Sequence, residues 1–115
     1  MLDVAALDKW LSQNSYEECL RCGAKRLVFA AFEGGFMSAD CEACGIGLNV
    51  RIDTIITIAL SEESMKTLRV LVADKRLPMK FRAECDMILG LTLLYRKFFG
   101  EEWPTPAKLR EAEAR

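Results

Sequence analysis

The chain has 115 residues, 51 % of them hydrophobic and 29 % charged, with a formal net charge of −1. That is enough for one modest core and too apolar for a disordered chain. It holds no histidine and five cysteines, which excludes Ser-His and Cys-His nucleophilic pairs, imidazole-dependent zinc sites and a histidine pH switch.

Residues 2–13 read as a short amphipathic helix, with Leu2, Leu7, Trp10 and Leu11 near one face and Asp3, Asp8, Lys9 and Gln13 elsewhere. Asn14-Ser15 stops it. With acids at Asp3 and Asp8 and no basic-then-apolar pattern, this is not a signal peptide. Residues 16–50 carry aromatics, glycines and four of the five cysteines. Within them 25–32 is a strand candidate, Glu33-Gly34-Gly35 a turn, 36–40 a returning strand and 48–52 a third strand.

From residue 53 the pattern turns helical. The run 53–60 is apolar enough to be buried as helix or strand, and is too short to decide between them. Ser61 followed by Glu62 and Glu63 predicts an N-cap, with Leu68, Leu71 and Val72 as the apolar stripe and Lys75 and Arg76 at the C-terminal end. Pro78 breaks the chain and opens the next helix, over about 79–99. Phe81, Cys85, Ile88, Tyr95 and Phe99 step along one face, and Leu89, Leu91, Leu93, Leu94 and Phe98 widen it. A helix apolar nearly all round is buried or meets a partner. Its apolar run is interrupted by Gly90 and Thr92 and falls far short of the ~20 residues a membrane span needs. Gly100 is placed to end it, and residues 101–115 form a charged tail in which Thr105-Pro106 opens a last helix.

Cys19-Leu20-Arg21-Cys22-Gly23 and Cys41-Glu42-Ala43-Cys44-Gly45 are two copies of C-x-x-C-G separated by eighteen residues. Two residues between thiolates let both sulfurs face one point, and the following glycine can adopt positive φ and turn the chain away. The segment between must double back, which predicts a β-hairpin of zinc-ribbon type with a four-cysteine tetrahedral Zn2+ site. The midpoint between Cys22 and Cys41 falls at Ala31/Phe32 rather than at the glycines, so the arms are unequal or the loop is wide, from about Phe32 to Phe36. Paired dithiol redox centres and an iron–sulfur cluster are the competing uses of four such thiols. With four protein ligands the metal is closed and structural. Cys85 lies on the apolar stripe as a small core hydrophobe. The odd cysteine count and the thiol cluster favour a reducing, cytoplasmic setting.

Charge is uneven along the chain. Residues 66–97 hold eight basic side chains against three acids, whereas residues 1–20 are acidic. The tightest basic cluster, Lys75, Arg76, Lys80 and Arg82, straddles Pro78, and Lys25 and Arg26 sit beside the first knuckle. Both are candidate contacts for phosphate or an acidic protein surface, and both also read as solvated charge. The pairs Glu17-Glu18, Glu62-Glu63 and Glu101-Glu102 are adjacent in sequence, point apart on a helix, and read as caps or solvated faces.

The run Cys19-x-x-Cys22-Gly23, an apolar strand ending in Phe32, Gly34-Gly35, then Cys41-x-x-Cys44 and helices resembles the C-terminal part of the bacterial recombination and repair family RecO. A helix before the first cysteine pair and a last apolar helix with Tyr95 and Phe98-Phe99 fit the same pattern. The family's N-terminal OB-fold for single-stranded DNA has no counterpart ahead of Cys19. The resemblance implies a metal site at Cys19, Cys22, Cys41 and Cys44, and helices packed against the ribbon. It also implies recombination or replication factors as protein partners, with single-stranded DNA a further candidate.

The resulting expectation is a single α+β, mostly helical domain over 1–115, comprising helix 2–13, zinc ribbon 16–50, helical core 53–100 and tail 101–115. No enzyme is expected, since histidine, a glycine-rich phosphate loop and an open metal position are all lacking. Nor is a membrane or a small-molecule substrate. The alternative is a protein-interaction subunit without nucleic-acid binding, docking through the helix at 79–99, Trp10 or Trp103.

Overall fold

The computed structural model describes residues 3–14 and 17–99. The Asp3 carboxylate accepts the Ala6 N–H at 3.0 Å and so caps helix α1, Val4–Asn14. Leu7 and Leu11, one turn apart, are fully buried, and the exposed face carries Lys9, Ser12 and Gln13. Leu2 and the Ser15 stop lie outside the described residues.

Three antiparallel strands follow in the order β1-β2-β3: β1 Leu27–Phe32, β2 Phe36–Cys41 and β3 Gly47–Arg51. Phe32 pairs with Phe36 and Leu27 with Cys41, so the connection is the tight Glu33-Gly34-Gly35 turn. Both glycines have positive φ, +95° and +86°, which a residue with a Cβ adopts only under strain. The predicted alternative of unequal arms is therefore the one realised. Cys41 ends β2 opposite Leu27, and Cys22 is carried by the loop before β1. The first strand starts two residues later than expected because Lys25 and Arg26 belong to that loop. Leu27, Phe29 and Ala31, with Met37, Ala39 and Cys41 opposite, form the buried face. The other face holds Phe32 and Phe36, which are exposed.

The undecided segment is helix α2, Ile52–Ala59, with Ile52, Ile55, Ile56 and Ala59 buried at helical spacing. Ser61 caps α3, Glu62–Ala73, and its hydroxyl accepts the Ser64 N–H at 3.1 Å. That helix ends before Lys75 and Arg76, which were expected at its C-terminal end. Instead Asp74 is the C-cap, and Arg82 reaches back to donate from Nε to the Val72 carbonyl at 2.8 Å, satisfying an orphan acceptor.

Helix α4, Met79–Phe99, matches its expected bounds and part of its expected face: Cys85, Leu91, Leu94 and Tyr95 are buried as expected. Its buried stripe is Ala83, Met87, Leu91, Leu94 and Tyr95 with Cys85, while Phe81 and Leu93 are 44 % and 43 % exposed. The helix packs on the sheet on one side and on α2 and α3 on another. A nearly all-apolar helix carries no periodic signal to say which arc faces in. Gly90 permits the close approach to β1: a Cβ there would lie 3.1 Å from the Phe29 ring. Trp10, considered as a docking anchor, packs on Phe98 with ring centroids 5.6 Å apart and ties α1 to α4. The Phe99 side chain, Gly100, Trp103 and the helix expected from Thr105 lie outside the described residues. Among those described, no helix is long and apolar enough to cross a membrane.

Candidate metal centre

The two knuckles are one loop built twice. In each, the first cysteine donates its N–H five residues on, Cys19 to the Ala24 carbonyl at 2.9 Å and Cys41 to the Ile46 carbonyl at 2.8 Å. In each, the glycine N–H returns to the carbonyl of that first cysteine, at 2.7 Å for Gly23 and 3.0 Å for Gly45. The glycines sit at φ +78° and +79°, as the C-x-x-C-G spacing predicts. In the second knuckle the Cys44 N–H also points at Cys41 Sγ, 3.5 Å away.

Two contacts lock one knuckle to the other. The Glu42 N–H donates to the Arg26 carbonyl at 3.0 Å, and the Arg26 guanidinium meets the Glu42 carboxylate at 3.4 Å. Arg26, considered as a partner contact, is thus a tie between the loops.

All four sulfurs lie within 4.8 Å of one another. Across the knuckles, Cys19 Sγ is 3.8 Å from Cys44 Sγ and Cys22 Sγ is 3.7 Å from Cys41 Sγ. A tetrahedron with metal–sulfur bonds of about 2.3 Å has edges of about 3.8 Å, so the cluster has the dimensions to hold a metal ion, and zinc is typical of four thiolates. Cys19 and Cys41 are buried, Cys44 is half-buried and Cys22 is exposed. The site is anchored in the core on one side and open to solvent on the other.

The electrostatics favour a cation. Hydrogen bonding from the Cys44 backbone N–H, helped by the Ala43 N–H and the Cys22 and Cys44 thiols, holds Cys41 down at about 6. At Cys22 the Ala24 backbone N–H pulls downward, but desolvation and the neighbouring thiols prevail and push it up to about 11. Four thiolates at this spacing repel one another unless a positive ion sits among them. Cys85 stands apart from the cluster, buried in the core as expected, with its thiol pushed up by burial and then by Glu84.

The predicted basic cluster is only partly free. Asp74 grips Arg76 through both carboxylate oxygens, at 2.9 and 3.0 Å, and is itself held below the ordinary carboxylate range by that pairing. Arg82 is tied to α3. Lys75 and Lys80 are exposed. Sequence reasoning missed three features. The Asp8 carboxylate accepts the Ala31 N–H at 2.9 Å on the β1 edge, Glu17 forms a two-way bridge with Leu27, and an acidic groove runs beside α4. The first two depend on chain-distant pairing, which leaves no local signal.

No family model matches the chain, and no curated protein or solved structure matches it.

Proposed function

We propose that the chain is a non-enzymatic module clamped by one structural zinc ion, and that its work is to present surfaces to a protein partner. The observation that carries this is the four-thiol cluster at tetrahedral spacing. With every coordination position filled by the chain, no position remains for water or substrate. Zinc bound there would supply folding free energy on the order of 10–16 kcal/mol. The residues around it do the rest: Cys19 and Cys41 root the site in the core, Gly23 and Gly45 turn the knuckles, and Arg26 and Glu42 hold them together. Of the adjacent carboxylates, Glu62 pairs with Arg96 at 3.3 Å.

A role beside recombination or replication proteins rests on the cysteine and Gly-Gly resemblance alone, and a cytoplasmic setting on the odd cysteine count and the thiol cluster. Direct nucleic-acid binding is disfavoured by charge, since four thiolates and one Zn2+ would take the formal −1 further negative, and Arg76 and Arg82 are already engaged.

Elemental analysis of the native protein should find one zinc per chain, and Co2+ substitution should give the visible spectrum of a tetrahedral thiolate site. Chelation should loosen the knuckles, raise thiol reactivity first at the exposed Cys22, and leave the sheet folded on the core at reduced stability. Reduced protein without metal would overturn the proposal. An oligothymidine probe should not bind at low salt. Salt-sensitive binding lost on Lys75→Glu with Lys80→Glu would replace the protein partner with nucleic acid.

A further inference from the structure

Between α4 and β1 runs a groove of about 440 Å³. Its floor is apolar, formed by Leu27 and Phe29 of β1 and by Leu89, Leu93 and Leu94 of α4. Gly90 lies in the wall, where the missing side chain makes room for the Phe29 ring, which is itself buried. Leu93 is 43 % exposed there, as Met79 and Phe81 are at the other end of α4.

The groove is lined by both signs of charge: Asp86, with Glu17 near it, lies eleven residues along α4 from Lys97, and Glu18 also lines it. Along the α4 axis, Asp86 lies seven residues from Leu93, about 10 Å, and Lys97 about 6 Å beyond. Glu17 is pinned in place by its two-way backbone bridge to Leu27. None of the three acids takes part in an ion pair among the described residues. Asp86 is half-buried, and its carboxyl is pushed up by burial and then by Glu17. The acids do not converge as a metal site, because the four cysteines form the one ligand cluster found among the described residues.

We propose that this groove docks a segment of a partner protein that places an apolar side chain on Leu93 and an arginine or lysine, two helical turns away, against Asp86 and Glu17. The inference rests on the reading of the chain as a protein-docking module and names where the partner sits. Charge complementarity selects the occupant: three unpaired carboxylates repel phosphate and draw an ammonium or guanidinium, while the trough between them and Lys97 takes apolar side chains. Partial desolvation of Asp86 makes the basic side chain the discriminating contact, since a neutral segment would bury that carboxylate without a counter-charge.

The test is selection from a displayed library of random twelve-residue segments on the metal-loaded full chain. Retained segments should carry Arg or Lys six to eight positions from Leu, Phe or Trp. They should bind at least tenfold more weakly to the Asp86→Lys and Leu93→Asp variants, and normally to Glu63→Lys on α3. A retained segment with its basic residue changed to Glu should recover binding to Asp86→Lys, which a merely misfolded variant could not support. Circular dichroism and retained metal check that the variants fold. An empty selection, or binders without a basic residue or indifferent to both groove variants, would overturn the proposal. Binders indifferent to the groove variants would leave the docking module standing with another surface. Failure of the native chain to hold metal would overturn the module without touching the groove.

Discussion

Gly45 isolates the backbone contribution to the metal site. It sits at φ +79° with no atom within 4 Å of where a Cβ would stand, so Gly45→Ala introduces no clash. What remains is the left-handed backbone, which costs an L-residue about 1–2 kcal/mol. Where removing the metal releases the loop from this conformation, the strain appears in the metal affinity. One to two kcal/mol corresponds to roughly 5–30-fold weaker binding. Competition against a chromogenic chelator at neutral pH measures it. Gly23 has the same φ and the same empty surroundings, so Gly23→Ala should cost the same, and the double variant about the sum. Gly45→Asn should cost less, since asparagine tolerates this region. Gly47→Ala is the contrast. Its Cβ would meet the Asp40 carboxylate, which is exposed and can swing aside, and the Ala39 carbonyl at 3.3 Å, which must give slightly; the cost falls on the strand pair, and metal affinity should hardly move. Unchanged affinity in Gly45→Ala, or a larger loss for Gly45→Asn than for Gly45→Ala, would refute the strain argument.

Three further outcomes are expected. Leu91, fully buried, should cost about 2–5 kcal/mol on truncation to Ala, and Phe81, 44 % exposed, much less; urea unfolding that ranked them equally would place the α4 stripe where the sequence periodicity put it. Asp8→Ala should remove the acceptor of the Ala31 N–H, cost about 1 kcal/mol and speed hydrogen exchange at that amide in particular. Asp86 has its carboxyl raised in the fold, so its ionisation opposes folding: the stability it allows is full below the unfolded pKa of about 4 and is lost as pH rises through the folded value. Asp86→Asn should therefore be more stable than the parent at pH 7, with the gap closing near pH 3, and denaturant midpoints across that range would show it.

The legible parts of this fold are those governed by local chemistry. The C-x-x-C-G repeats announce two glycine-turned knuckles, Ser61 with two acids after it announces a cap, and Pro78 announces where α4 begins. Each is decided by residues within one turn of one another. The inward face of α4 was only partly legible: Cys85 and Tyr95 are buried as their stripe predicts, but Phe81 reads as well on paper as Ala83 or Met87. Only packing against the sheet and the α2–α3 pair distinguishes them. Arg76 and Arg82 read as a basic corner for the same reason. Their partners, Asp74 and the Val72 carbonyl, are close by in space, but nothing in the spacing says that the side chains turn inward to the chain rather than outward to a ligand. The groove beside α4 was out of reach, because Glu17 and Asp86 are brought together by the sheet.

The four cysteines should not be equivalent to mutation, because the core takes in Cys19 and Cys41 fully, Cys44 in part and Cys22 not at all. Cys19 and Cys41 are 2 % and 3 % exposed and belong to the same buried cluster as Leu27, Ile46 and Tyr95, whereas Cys22 is exposed. Any Cys→Ser change removes a ligand and should weaken metal binding. At the inner positions serine also puts a hydroxyl among apolar neighbours, at about 1–3 kcal/mol if it finds no partner. That second cost does not depend on metal. In excess chelator, the parent and Cys22→Ser should unfold at nearly the same urea concentration, while Cys19→Ser and Cys41→Ser should unfold earlier. If all three variants coincide once metal is stripped, the inner cysteines act only as ligands and the knuckles are not rooted in the core. If the inner variants alone shift, the metal clamp and the hydrophobic core are joined at those two sulfurs.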